Sequence, residues 1–441
     1  MNCNILNYGA VADGVTVNTQ AIQNAIDAVA AAGGGTVTVP TGVFLTAAIE
    51  LKSHVELYLE KNAILRATLN VPEDFPKRGF LVADGAVDVS ISGSGIIDGH
   101  SDDPYYKQFK LNDSKRPNGV IFRGCRQVSV TGIHITNAGS WTLRLLGCDG
   151  VKIDGITIYC LTQPNNDGID VDAKNVTISN CRISCDDDGI CLKSDIPGFL
   201  PENIVVSNCV IASNCNPIKL GTSSVTGFRN VAFSNCVIRP TEESNVWEWS
   251  EHYRKVTPGT KTGLSGITVQ CVDGGTVENI SFDNIVMEGV ITPIFVCLNH
   301  RRGDHGILRN LQFRGITAKA NGIIPCLVSG VPDNAVEDII FRDILVEHEG
   351  GEEPMTEPLP ENLNGYPENR MYGSCNPAGG LYIRHARGIT IDNFKVRQRQ
   401  TDFRPAVVLE DVSDLQMRGL KTYGCAAEEK VLARDCKDVT F

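Results

Sequence analysis

Between Asn165 and Ser194 the chain reads NNDGIDVDAKNVTISNCRISCDDDGICLKS. Six aspartates fall there in two groups, Asp167/Asp170/Asp172 and Asp186/Asp187/Asp188, set among Val, Ile and Cys. Carboxylates gathered this closely can form a solvated polar turn. They can hold a hard cation through oxygen ligands. They can also divide the labour of proton donor and proton acceptor at a bond to be broken. The backbone that positions them decides between these.

That backbone is repetitive. One short pattern returns as VKIDGITI from Val151, VTISNCRI from Val176, IVVSNCVI from Ile204 and VAFSNCVI from Val231. It continues as ISFDNIVM from Ile280, LQFRGITA from Leu311, IIFRDILV from Ile339, ITIDNFKV from Ile389 and LQMRGLKT from Leu415. Copies lie roughly 25 to 31 residues apart, with two gaps near 50. Each alternates apolar and polar residues and so reads as a strand. A single rung cannot bury its apolar face, whereas stacked rungs can, which predicts a parallel β-helix. The long gaps predict loops around residues 239–263 and 347–378, where function often resides. Earlier, NTQAIQNAIDAVAAAGGG predicts a helix with Asn18 as N-cap, an Ile22/Ile26/Val29 stripe and Gly33 as stop. We expect one β-helix domain over 1–441, with 1–46 as a cap over its open end and 47–441 as coils.

A second strand type lies between the copies. Aligned rung under rung, it reads WTLRLL from Trp141, DGIDVD from Asp167, DGICLK from Asp188, NPIKLG from Asn216, SGITVQ from Ser265 and TPIFVC from Thr292. Period-two alternation turns Leu143/Leu145, Ile169/Val171, Ile190/Leu192, Ile218/Leu220, Ile267/Val269 and Ile294/Val296 inward. Outward columns follow: Trp141, Asp167, Asp188, Asn216, Ser265, Thr292, and then Arg144, Asp170, Cys191, Lys219, Thr268, Phe295. A third column includes Asp172, Lys193 and Gln270. Asp167 and Asp188 are rung-equivalent, with backbones about 4.8 Å apart, and Asp187 is offset by one residue.

Like charges on adjacent rungs repel, and Asn or Ser would serve a solenoid equally well. A calcium site has oxygen ligands to draw on, but the spacing of an EF-hand loop is absent. Acid–base hydrolysis of a glycosidic bond fits best. An inverting pair of carboxyls stands about 6.5 to 9.5 Å apart with a water between, a span that side chains one rung apart can reach.

NNDGID followed by DDGICLKS resembles the signature of glycoside hydrolase family 28, the polygalacturonases and rhamnogalacturonan hydrolases. The resemblance extends to NYGAVADGVTVNTQAIQNAI, SWTLRLLGCDGVKIDGI and YPENRMYGSCNPAGGLYIRH, nearly the whole chain. It implies a right-handed parallel β-helix, inversion at the anomeric carbon, and no metal or other cofactor. It implies Asp187 as general acid, with Asp167 and Asp188 holding the attacking water. Asp186 stands where the family has Gln or Gly, and an acidic neighbour there would favour a protonated Asp187. Two family features differ. The Gly-His-Gly of polygalacturonases is CNP here, with Asn216 at the His position, and their Arg-Ile-Lys is Gly266 to Thr268. Both changes fall on substrate contacts, so reaction type is better supported than substrate, and an ordinary endo-polygalacturonase is not expected.

Lys219 and Arg144 are candidates to pair with a uronate carboxylate in place of the missing basic residues. Alternatively, Arg144 pairs with Asp170 and Lys193 with Asp172. NHRRGDHG from Asn299 offers His300 and Arg301 on a basic loop; His300 and His305 lack a convincing third ligand for a metal. Trp141 can stack on a sugar ring or cover a loop. Trp247, Trp249, His252 and Tyr253 in the first long loop, and Tyr366, Glu368, Arg370 and Tyr372 in the second, can wall off a groove and favour trimming of chain ends.

The 441 residues carry a net charge of -12, a poor match to nucleic acid or anionic membranes. No run of about 18 apolar residues predicts a membrane span. The start, MNCNILNYGAVADG, lacks a basic region followed by an apolar run, so a cytoplasmic protein is expected, or a secreted one whose signal has been removed. The 16 cysteines lack the spacing of a disulfide framework or a zinc pair, and read as small buried hydrophobes. The combined expectation is an inverting hydrolase of pectin-derived galacturonosides or rhamnogalacturonan oligosaccharides, exo-acting on short substrates. Its rivals are a glycosidase on a neutral α-glycoside, a polysaccharide lyase on the same fold and a non-catalytic sugar-binding β-helix.

Overall fold

The computed structural model describes residues 1–109, 113–242, 262–303, 305–355, 359–373 and 376–441. Its strands pair in parallel, as the repeats require, and the register matches the sequence alignment residue for residue. Val151 pairs with Val176, Val231 with Ile280 and Ile280 with Leu311. Leu311 pairs with Ile339, Ile339 with Ile389 and Ile389 with Leu415. The chain is a right-handed parallel β-helix. No helix of the described residues is long and apolar enough to cross a membrane.

Contacts divide the chain into two compact units. The first comprises Met1–Cys191 and Asn203–Ile211; the second comprises Leu192–Glu202, Ala212–Glu242 and the described part of Glu248–Phe441. In the first, the coils begin earlier than residue 47. Strand Asn2–Asn4 pairs with Gly35–Val39, which pairs with Val55–Leu59, and Gly42–Thr46 pairs with Ala63–Ala67. The helix Thr19–Ala31 is an excursion between coil strands, packing Ile22, Ala25, Ile26 and Val29 into the core. Gly33, at a φ of 91°, turns the chain out of the helix as predicted. Asn18 sits at the N-cap position, but its side chain does not cap. Its Oδ1 accepts from the Val11 N–H at 2.7 Å and its Nδ2 donates to the Thr16 carbonyl at 2.7 Å, so it ties the entry loop instead.

Corners between strands use asparagine in the left-handed region, where its short side chain is tolerated. Asn175, Asn180, Asn203 and Asn208 all have φ between 54° and 59°. Their amides join coil to coil: Asn203 Nδ2 to Asn175 Oδ1 at 3.1 Å and Asn208 Nδ2 to Asn180 Oδ1 at 3.5 Å. The second unit repeats the device at Asn230, Asn279 and Asn310, with bonds of 3.2 and 2.7 Å. Its core carries a stack of phenylalanines: Phe233–Phe282, Phe282–Phe313 and Phe313–Phe341 have ring centroids 5.5, 5.2 and 5.1 Å apart. Fully burying such a side chain stabilises by about 1.5–3 kcal/mol. Cys181, Cys209 and Cys236 are buried, as expected of small apolar side chains in the coils.

The outer face of the second unit is not open. Phe295, Leu327, Tyr382 and Val408 form an outward apolar column that packs with Leu359, Tyr372 and Ala378. Segment 359–373 lies over that column and is fastened by polar side chains. Gln270 Nε2 donates to the Pro367 carbonyl at 2.7 Å, Asn369 Nδ2 donates to the Leu264 carbonyl at 2.7 Å, and the Tyr372 hydroxyl meets Ser329 Oγ at 3.0 Å. Phe295, expected to face outward, is therefore buried, and Thr268 is buried as well.

Candidate active site

Strand Leu143–Asp154 pairs with Ile169–Ser179 in the expected register, Leu143 opposite Ile169 and Arg144 opposite Asp170. Just before these strands the ladder continues through Thr142 N–H to the Asp167 carbonyl at 2.9 Å and Gly168 N–H to the Asp188 carbonyl at 2.8 Å. Asp167 and Asp188 are thus rung-equivalent. Gly168 is required by close approach: a Cβ there would lie 2.5 Å from the Gly189 carbonyl oxygen. The predicted inward pairs from Leu143/Leu145 to Ile294/Val296 are all buried.

The carboxylates come together. One oxygen of Asp167, one of Asp188 and the Cys191 sulfur lie within 4.8 Å of one another, and an Asp187 oxygen lies equally close to one of Asp188. The Asp187–Asp188 approach is shorter than the roughly 6.5–9.5 Å of an inverting pair. These two carboxyls are neighbours on one turn. Asp167, Asp187 and Asp188 retain only 3%, 6% and 2% of their exposure, which overturns the reading as a solvated acidic turn. Two carboxylates and a thiol suit calcium poorly, since it takes six to eight oxygen ligands.

The turn beneath them is built from neighbours that sequence reasoning missed. Asn166 is fully buried; its Oδ1 accepts from both the Asp186 and Asp187 N–H groups at 3.0 Å, and its Nδ2 donates to the Cys160 carbonyl at 2.5 Å. Asp187 Oδ1 accepts from the Asp188 N–H at 2.9 Å. The Cys185 thiol lies at 3.4 and 3.3 Å from the Asp187 and Asp188 carbonyls. Its pKa is pushed well above the usual thiol value by burial, and then by the charges of Asp167, Asp187 and Asp188. Arg116, also buried, donates to the Gly139 carbonyl at 2.9 Å, to the Pro164 carbonyl and to Asn165 Oδ1 at 2.9 Å. Burial lowers its pKa, and Asp113, Tyr106 and Asp187 act in the opposite direction. The only sequence signal for Asn166 was its place beside Asp167; nothing local marked Arg116.

The other candidates are distributed. The Arg144 guanidinium lies over the Trp141 ring, 4.2 Å from its centroid, a cation–π pair within the predicted columns. Asp170, Asp172 and Asp186 are buried, and Lys193 is half-buried. In the second unit, Lys219 is buried and pairs in register with Thr268. Asn216 Oδ1 accepts from Thr268 Oγ1 at 3.1 Å. Arg301 grips the buried Asp273 with two bonds, at 2.9 and 2.5 Å, so its charge is already matched inside the fold. The His300 N–H donates to its neighbour Asn299 and to the Leu363 carbonyl, beneath segment 359–373. Glu368 and Arg370 pair with each other at 3.0 Å. Trp247, Trp249, His252, Tyr253 and Asp304 lie outside the described residues.

The profile of Glycosyl hydrolases family 28 matches residues 30–244. A probable polygalacturonase of Vitis vinifera is 28% identical over 387 residues, 78% of this chain and 74% of the relative. An exopolygalacturonase of Arabidopsis thaliana is 24% identical over 74% of this chain and 72% of its own. Among solved structures, a hyperthermoactive exopolygalacturonase from Thermotoga maritima superposes with a TM-score of 0.67 at 24% identity. It covers 79% of this chain and 87% of that one. The profile match contains all three clustered aspartates, and the register that gathers them is that of the coils. The profile match over residues 30–244 and the polygalacturonase relatives together support membership of glycoside hydrolase family 28 and, with it, hydrolysis of O-glycosyl bonds.

Proposed function

We propose that the enzyme releases sugar units from the ends of pectin-derived galacturonosides or rhamnogalacturonan oligosaccharides, with inversion of configuration. The convergence of Asp167, Asp187 and Asp188 on adjacent rungs carries this reading. Asp187 donates a proton to the leaving oxygen. Asp167 and Asp188, with oxygens within 4.8 Å, hold the water that attacks the anomeric carbon from the opposite face, and one of them accepts its proton. A single displacement by water inverts the centre. The relatives named polygalacturonase and exopolygalacturonase support the pectic substrate. End-trimming is supported by the relative named exopolygalacturonase.

One observation favours a second reading, a neutral α-glycoside. Where the family places His, Asn216 accepts a bond from Thr268, and neither side chain carries charge for a uronate. Incubation with pectic oligosaccharides and with neutral α-glycosides, followed by product analysis, separates the two. Release of galacturonate or rhamnogalacturonan fragments from chain ends is expected; hydrolysis of neutral glycosides alone would select the second reading. Proton NMR of the first-formed anomer tests the mechanism, and a product of unchanged anomeric configuration would overturn inversion.

A further inference from the structure

We propose that Asn166 is a positioning residue for the proton donor, an inference resting on the acid role of Asp187 proposed above. Residues Asp186 to Asp188 form a bend between strands Arg182–Cys185 and Ile190–Ser194. Side-chain direction there is not set by strand alternation, which fixes side chains only within strands. Something else must aim Asp187. Asn166 gathers two consecutive N–H groups, those of Asp186 and Asp187, onto one oxygen at 3.0 Å each. Consecutive N–H groups pointing to one side define a curved backbone rather than an extended one. The same amide donates to the Cys160 carbonyl at 2.5 Å, on a strand whose Cys160 pairs with Cys185. Asn166 therefore fastens the bend to the strand of the preceding rung, and Asp187 Oδ1 is held in turn by the Asp188 N–H at 2.9 Å.

The residue type follows from the partners. One acceptor must serve two N–H groups, and one donor must face a carbonyl, within a fully buried site. A carboxylate has no donor for Cys160, and a hydroxyl is a single atom that must serve both ends. Loss of the clamp leaves Asp187 in the chain but lets it wander from the leaving oxygen, where a displacement of an ångström is costly.

The test uses leaving-group dependence. Asn166→Ala and Asp187→Asn are assayed on a digalacturonide and on 4-nitrophenyl α-galacturonide, whose phenolate departs with little protonation. On the digalacturonide, Asn166→Ala is expected to lower kcat by about 10- to 100-fold, with KM within about threefold of the parent. On the aryl substrate the deficit should shrink to a few-fold, following Asp187→Asn. Asn166→Ser, which keeps an acceptor, should show the same dependence with smaller losses, and serves if the alanine variant does not fold. Equal losses on both substrates, or an unchanged kcat with a lowered Tm, would make Asn166 merely structural. If Asp187→Asn itself retains full activity, the acid assignment fails, separately from the clamp.

Discussion

Asp402 and Asp187 are both buried aspartates, and their neighbours differ in kind. Asp402 faces Arg404 through bonds of 3.0 and 2.8 Å, both side chains fully buried. Asp273 is matched in the same way by Arg301. At Asp187 the neighbours include a further acid, Asp188, and the backbone is gripped by Asn166. Opposite charges offset each other's desolvation, whereas gathered like charges raise the energy of the fold. The first arrangement serves structure. The second places carboxyls side by side, as chemistry that holds a proton next to a base requires.

Substitution should separate the two most sharply at Asp187. Asp187→Asn is expected to lose roughly 100- to 10,000-fold in kcat/KM while its Tm stays close to the parent's, because the amide oxygen still accepts from Asp188 N–H. An early-melting but active variant would put Asp187 in the same class as Asp402. Asp402→Asn should do the reverse. Removing one partner of a buried ion pair costs about 3–5 kcal/mol, so denaturant unfolding should show a large loss of stability with normal turnover at low temperature.

A third test uses pH. His348 is buried in the same unit, and its pKa is lowered from 6.5 to about 3 by burial and then by Arg404, with Asp402 acting in the opposite direction and Arg399 reinforcing the shift. The unfolded chain binds the proton more readily, so stability is full above about pH 6.5 and falls as pH drops toward about 3. The loss should amount to a few kcal/mol, and His348→Gln should flatten that limb in urea titrations between pH 7 and 4. An unchanged limb would show that the carboxylates dominate it. The smallest effect is expected at Arg301. Arg301→Met should cost about 1–3 kcal/mol by leaving Asp273 buried without its partner, with KM unchanged. A raised KM at undiminished stability would return Arg301 to the substrate.

The coils were legible because alternation has a period of two and each copy repeats it. Val151, Val176 and Leu311 could be set in register without coordinates for that reason. The three clustered aspartates were legible through the same register. What stayed hidden was supplied from a distance. Phe295 alternates outward as expected, yet it packs with Leu359 and Tyr372 from far along the chain. Arg301 looked like a solvated basic loop because its partner, Asp273, lies 28 residues earlier. Asn166 was read only as part of a motif, since its partners Asp186 and Asp187 lie 20 and 21 residues away on a bend.

The phenylalanine stack bears on how such a molecule is made. Each ring meets one from the adjacent coil, Phe282 touching Phe313 and Phe313 touching Phe341. Most contacts in a stack of this kind span a single coil, so relative contact order is on the order of 0.1, a value typical of helical bundles rather than sandwiches. Each new coil can dock on its predecessor as soon as it leaves the ribosome, with no need to await the far end of the chain. An all-β protein of this length can thus assemble progressively during synthesis, exposing one unfinished edge at a time.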